Sequence, residues 1–243
     1  MTFADWYEQQ EKTTLAKVVS TYDLVIFDNA FGFPQKDFLD FNPRNPDYSL
    51  RKPLQKECRI TEEQLDLIKE SEDIYVTTRV FGEFLRLVEI VNDRTNYLQD
   101  VRASSFKKTR NDKDKRTKEF GKLKSFVDLM ERVSELYQEM SEHLKECLIA
   151  PINFNFPHGR GSETDREIVS TAIANYLAEE NESTAILTRD HDIMYLFLQY
   201  FRRQTYHQKE NLNKRVHIHF VSREEPSEIV RVDPILYARG DCW

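Results

Sequence analysis

Four acidic residues stand out because each lies where a predicted strand ends or a predicted helix begins. Asp28 directly follows the apolar run 24–27, and Asp190 follows the run 185–189. Asp165 opens the helix-like run 166–174, and Glu83 lies early in the helix-like segment after the run 74–78. In a parallel α/β sheet these positions converge on one edge. We therefore expect the four carboxylates to share one pocket.

Carboxylates held together repel one another, and raised pKa values or bound cations must relieve that repulsion. Hard carboxylate oxygens favour Mg²⁺ or Mn²⁺. One ion, or two about 3.5–4 Å apart, can activate a water for in-line attack on a phosphodiester and stabilise the departing oxygen. The acids thus predict a divalent-metal site that hydrolyses phosphodiesters without a nucleophilic side chain.

Each acid taken singly has a simpler structural explanation. Asp165 can stabilise a helix N-terminus with Ser162 or Thr164 as the cap, and Asp190 can cap the next helix. Asp28 can be a turn residue and Glu83 an exposed helix carboxylate. Their joint placement at junctions that meet at one edge favours the shared pocket. Asp192 is a candidate for a second-ion ligand or a helix cap, and Thr188 and Asn29 can orient ligands by hydrogen bonding.

Other chemistries have little support in the sequence. Phosphate-loop, dinucleotide-binding, zinc-protease and serine-hydrolase motifs are absent. A phosphatase with Asp28 as nucleophile is disfavoured, because Asn29-Ala30 follows without an Asp-x-Asp arrangement. His217 and His219 share one strand face, a pattern that more often indicates packing or surface than a metal site.

Composition limits the class of protein. The chain has 243 residues, 40% hydrophobic content and a net charge of −7, which predicts one sizeable core. Three scattered cysteines predict no disulfide framework and favour a reducing, cytoplasmic compartment. We expect no signal peptide and no membrane span.

Alternating strand-like and helix-like segments predict an α/β fold with a central, mostly parallel sheet. Apolar runs predict strands at 24–27, 74–77, 184–187 and 216–221. Helical periodicity predicts helices over 3–20, 61–71, from Val80 onward, 123–148, 165–180 and 193–201, with Thr61 and Gln64 forming a capping box. Prolines in 34–53 predict a long loop. We expect a single domain over 1–243 with a helical insertion at 91–150.

The tip of that insertion is strongly basic. Residues 102–124 hold ten basic and three acidic side chains, so ten minus three leaves a net +7 within a protein of net −7. A basic arm beside an acidic pocket would attract a polyanion that the pocket itself repels, although such runs are also commonly solvated or disordered. The candidate nucleic-acid contacts are Lys107, Lys108, Arg110, Lys113, Lys115 and Arg116, together with His158 and Arg160 in the loop before Asp165.

Four stretches resemble the PIN domain family of metal-dependent nucleases. They are VIFDNAFGF around Asp28, VTTRVFGEF around Glu83, TDREIVSTAIA around Asp165 and ILTRDHD around Asp190. The resemblance spans roughly residues 22–200 and implies a three-layer α/β/α fold. It also implies that Asp28 and Asp190 are direct metal ligands, with Glu83 and Asp165 completing the catalytic site directly or through water.

The expected activity is that of an Mg²⁺- or Mn²⁺-dependent endoribonuclease acting on single-stranded or looped RNA, and RNA is preferred because the resemblance implies it. Two alternatives stay open. One is a structure-specific DNA nuclease of related fold, and the other is a catalytically inactive PIN-like module that binds nucleic acid or a protein. Association with a second copy of the chain or with a regulatory protein is also left open.

Overall fold

The computed structural model describes residues 3–28, 51–108, 113–150, 161–178, 183–221 and 228–233. The predicted loop at 34–50, Asn29, Arg110, His158 and Arg160 lie outside these residues. The helices are α1 (Phe3–Gln9), α2 (Leu15–Val19), α3 (Arg51–Glu70), α4 (Thr78–Lys108), α5 (Lys113–Glu146), α6 (Glu163–Ala178), α7 (His191–Arg202) and α8 (Tyr206–Arg215). The strands are β1 (Lys12–Thr13), β2 (Leu24–Phe27), β3 (Ile74–Thr77), β4 (Leu148–Ile149), β5 (Thr184–Thr188), β6 (Val216–Val221) and β7 (Ile229–Val232).

The strands form one mixed sheet in the order β1-β7-β6-β5-β2-β3-β4. Strands β4, β3, β2, β5 and β6 run parallel to one another, whereas β7 pairs antiparallel with both β6 and β1. The α/β class predicted from the sequence is therefore confirmed, with an antiparallel edge that the sequence pattern does not predict.

The central strands are apolar along their whole length because both of their faces are covered. Every residue of β2 and of β5 is buried, and Val25, Ile26, Ala185, Ile186 and Leu187 have no exposed surface. Continuous apolar runs of this kind are typical of parallel strands inside an α/β sheet. Helix α6 contacts β5, β3 and β6 and also packs on α7.

The strand order reverses beside β2. From β2 the chain continues to β3 and β4 on one side, and it then forms β5 and β6 on the other side. In open α/β sheets, ligands bind outside the carboxyl ends of the strands at such a reversal point. Here the reversal lies between β2 and β5, the strands that precede Asp28 and Asp190.

The predicted single helix over 3–20 is wrong. The segment forms α1, the two-residue strand β1 and α2. Lys12 and Thr13 pair with β7, and the Thr14 side chain caps α2 by accepting a hydrogen bond from the Lys17 N–H at 3.3 Å. Pairing with a distant strand thus overrides the local helical periodicity.

The helix predicted to begin at Thr61 begins ten residues earlier, at Arg51. Pro53 lies in its first turn, where proline removes no intrahelical hydrogen bond. Because the helix continues through Thr61, the expected capping box does not form. Thr61 is buried inside the helix, and its hydroxyl has no hydrogen-bond partner among the described residues.

The chain divides into two compact units. The first comprises residues 1–32, 67–82 and 144–243 and contains the whole sheet, and the second comprises 33–66 and 83–143. Within the second unit, α4 and α5 pair antiparallel around buried side chains such as Phe84 and Tyr137, whose rings meet edge to face at 5.8 Å. No helix in the described ranges is long and apolar enough to cross a membrane.

Candidate functional site

Asp28 lies at the carboxyl end of β2, beside the end of β5. The two strands are parallel, and Phe27 pairs with Leu187. The Asp28 N–H continues this pairing by donating to the Leu187 carbonyl oxygen at 3.0 Å. Its side chain is only 5% exposed. The register therefore places the Asp28 carboxylate against Thr188, the last residue of β5.

The Thr188 hydroxyl links Asp28 to Asp190. Its Oγ1 donates to Asp28 Oδ2 at 2.6 Å and accepts from the Asp190 N–H at 2.8 Å. One buried hydroxyl thus uses its donor and one acceptor position to hold two of the four predicted acids at the same strand ends. Hydrogen bonding of this kind orients a carboxylate.

Asp190 also caps the helix that follows. It has extended backbone angles, and its Oδ1 accepts from the Asp192 N–H at 2.8 Å, as an N-cap residue does. The capping role expected of Asp190 taken singly is therefore observed. In the described part of the chain its second oxygen, Oδ2, accepts no hydrogen bond, so the carboxylate can cap α7 and still bind a ligand.

Asp165 occupies the first turn of α6 and forms reciprocal hydrogen bonds with Ser162. Asp165 Oδ2 accepts from the Ser162 N–H at 2.6 Å, and the Asp165 N–H donates to Ser162 Oγ at 3.1 Å. This is a capping box in which aspartate takes the usual place of glutamate. Gly161, with a positive φ of 92°, precedes it, and a Cβ there would lie 2.8 Å from Leu196.

The pKa of Asp165 shows that the acids are electrostatic neighbours. Burial raises the pKa of this carboxyl above its ordinary value, and the charges of Asp190 and Asp192 raise it further, against the hydrogen bonds from Ser162 that lower it. Capping a helix would by itself lower the pKa of an acid. The raised value reflects a buried cluster that includes Asp165, Asp190 and Asp192.

The donor set suits a hard divalent cation in its chemistry, because it consists of carboxylate oxygens. In the ranges that the structure describes, however, no three side chains of the His, Cys, Asp or Glu types lie close enough to hold one ion together. Mg²⁺ commonly binds one or two carboxylates and completes its coordination with water and substrate phosphate. The residues fit that kind of site better than a preformed cage of protein ligands.

Glu83 lies on α4 and is exposed. It belongs to the second compact unit, whereas Asp28, Asp165, Asp190 and Asp192 belong to the first. Its role as a metal ligand stays a prediction. The side chains of the basic candidates Lys107, Lys108, Lys113, Lys115 and Arg116 lie outside the described part of the chain, although their backbone belongs to α4 and α5.

Glu167 is an acidic residue that sequence reasoning missed. It is 2% exposed, accepts from the Arg79 backbone N–H at 3.2 Å, and forms an ion pair with Arg79 Nε at 3.0 Å. It thereby caps the first turn of α4 from a different helix. A charged residue directly before the apolar run 168–169 was the available sequence signal. Because its carboxylate is already paired, Glu167 has a structural role here.

Comparison with models of known protein families, with curated proteins and with solved structures found no match for this chain. Its function is therefore inferred from the arrangement of its own residues.

Proposed function

We propose that this protein is a metal-dependent nuclease of the PIN type that hydrolyses phosphodiester bonds. The observation that carries the proposal is the Thr188 hydroxyl, which joins Asp28 to Asp190 where the strand order reverses. Ligands of open α/β sheets bind at this place. The order of the five parallel strands and the acidic residues that follow two of them are what such a nuclease requires.

In this proposal Asp28 and Asp190 hold Mg²⁺ or Mn²⁺, with Asp165 and Asp192 close enough to contribute directly or through water. The bound ion would supply an activated water and neutralise charge on the phosphate. Thr188 fixes the orientation of Asp28, and the N-cap bond with Asp192 fixes that of Asp190. Asp165, with its raised pKa, holds a proton more readily than an exposed aspartate, and a neighbouring cation would release that proton.

The substrate we propose is single-stranded or looped RNA, as the PIN resemblance implies. The run of basic residues over 102–124 would attract the phosphate backbone. DNA is the alternative substrate. RNA and DNA oligonucleotides of identical sequence, assayed in parallel, decide between the two.

A second candidate function is a nucleic-acid-binding module without catalysis. One observation favours it: Asp165 and Asp190 both cap helices, and no three potential ligands in the described ranges form a group that could hold an ion. Such a module would bind RNA in the presence of a chelator as well as in Mg²⁺ and would leave it intact. A nuclease would cleave the RNA only when the metal is added.

The test is cleavage of end-labelled RNA by the wild type, Asp165→Asn and Asp190→Asn in Mg²⁺, Mn²⁺ or chelator. Asparagine retains a capping oxygen at both positions, so these changes remove charge while keeping the helix caps. We expect at least a hundredfold loss of cleavage. Glu163→Gln is the matched control, because Glu163 is an exposed acid in the same first turn of α6. Undiminished cleavage by both asparagine variants would refute the site.

A further inference from the structure

A second polar pocket lies between the segment 10–22 and strands β6 and β7. Its volume is about 270 Å³, and its lining includes Lys17, Tyr22, His219 and Arg231. None of the acids of the candidate nuclease site lines it. The pocket and its residues belong to the first compact unit.

Tyr22 connects two histidines on β6 through hydrogen bonds whose directions can be assigned. His217 Nε2 lies 3.0 Å from the Asn213 carbonyl oxygen, which can only accept, so Nε2 carries a hydrogen. Burial, helped by the charge of Arg231, lowers the pKa of His217 to about 4, so the ring is neutral at pH 7. His217 Nδ1 is therefore an acceptor, and the Tyr22 hydroxyl donates to it at 2.7 Å.

The single hydroxyl hydrogen of Tyr22 is used in that bond, so its oxygen accepts from His219 Nε2 at 3.0 Å. Burial, with the charges of His217 and Arg231, lowers the pKa of His219 to about 3, so this ring also carries one hydrogen. His219 Nδ1 is then a bare acceptor. The residue is 3% exposed, and Nδ1 has no partner among the described residues. A buried acceptor without a donor is unfavourable, which makes it suited to a ligand that brings one.

The charged residues of the pocket favour an anion. Lys17 and Arg231 supply two positive charges and Glu11 one negative charge, so two minus one leaves a net +1. Within the described ranges neither cation forms an ion pair with a carboxylate, and Arg231 Nη2 donates to the Asn213 carbonyl oxygen at 3.2 Å. The volume lies just below the usual range for drug-sized ligands, roughly 300–1,000 Å³, and so fits a small molecule.

We propose that this pocket binds a small organic anion that carries a hydroxyl group. The hydroxyl donates to His219 Nδ1, and the anionic group is held by Lys17 and Arg231. The ligand class is a hydroxylated phosphomonoester or a hydroxy acid, which share this chemistry. The site is independent of the proposed nuclease activity, because it uses none of the same residues.

The first test compares four probes by calorimetry: glycerol 3-phosphate, glycerate, glycerol and inorganic phosphate. We expect saturable binding of one or both hydroxylated anions with Kd about 1 mM or tighter, and binding of glycerol and phosphate weaker by about tenfold or more. The stronger of the first two identifies the anionic group. Failure of both hydroxylated anions to bind, or equal binding of all four probes, would overturn the proposal.

The second test compares Lys17→Met with Lys145→Met, which removes an equally exposed lysine from the last turn of another helix outside the pocket. Loss of a charge-assisted hydrogen bond should raise Kd by about tenfold in Lys17→Met and leave it unchanged in the control. The ¹⁵N shift of His219 Nδ1 should also move towards that of a hydrogen-bonded acceptor when the probe is added. Equal Kd values in the two variants, or an unmoved Nδ1 signal at saturation, would contradict the assignment.

Discussion

Replacing Thr188 by valine should destabilise the protein by about 3 kcal/mol, because it breaks the link between Asp28 and Asp190. Thr188 has no exposed surface, and valine keeps the branched shape that suits a strand. The change removes a hydrogen bond to a buried carboxylate, which contributes about 1.5–3 kcal/mol, and leaves the Asp190 N–H without its acceptor, which costs about 1 kcal/mol. Since Asp28 is 5% exposed, water cannot fully replace the lost hydroxyl.

The matched control is Thr188→Ser, which keeps the hydroxyl and deletes one buried methyl group at a cost of about 1 kcal/mol. Urea denaturation of wild type and both variants at pH 7 in chelator measures the free energies of unfolding. Valine should be the more damaging change, although it is the more apolar residue at a fully buried position. A valine variant as stable as the serine variant would refute the hydrogen-bonded link and, with it, the placement of the two acids.

Three further outcomes are expected. Mg²⁺ or Mn²⁺ at a hundred times its Kd should stabilise the wild type by about 2.7 kcal/mol; in Asp28→Asn the gain should shrink while the metal-free protein stays as stable or becomes more stable, and equal Tm shifts in both proteins would exclude Asp28 from the site. Replacing Lys107, Lys108, Lys113 and Lys115 by glutamate should weaken RNA binding and flatten its salt dependence, whereas an unchanged salt slope would show that these residues do not contact phosphates. Acidification below pH 6.5 should destabilise the fold, because His217 and His219 have pKa values of about 4 and about 3 when folded and near 6.5 when unfolded. The unfolded state binds more protons in that window, so the free energy of unfolding should fall by up to about 3 kcal/mol per pH unit as pH drops from 6.5 towards 4. A His219→Gln variant with the wild-type pH slope would contradict this account.

The four longest apolar strand predictions agree with the structure to within one residue. The runs at 24–27, 74–77, 184–187 and 216–221 correspond to β2, β3, β5 and β6. These strands are recognisable because burial on both faces requires continuous apolar residues. Strands β1 and β4 have only two residues each, and β7 lies in a region without a clear pattern, so periodicity could not reveal them.

The helix errors have a common cause. The segment 3–20 has helical periodicity, yet β1 forms there because Lys12 and Thr13 find hydrogen-bond partners in β7, more than 200 residues away. The prolines before residue 54 suggested a loop, yet helix α3 begins at Arg51, because proline is tolerated in a first turn. In both cases a local signal was correct about propensity and was overruled by its position in the fold.

The sequence by itself determined the residue types of the candidate site and the strand ends and helix starts that bring three of its acids towards one edge. It did so because apolar runs and caps are local patterns that can be read along the chain. Only the tertiary structure decided that Thr188 lies between Asp28 and Asp190, that Asp165 is buried near two other carboxylates, and that Tyr22 joins two neutral histidines in a separate pocket. These relations depend on strand register and burial, which arise from contacts between residues 160 or more positions apart in the sequence.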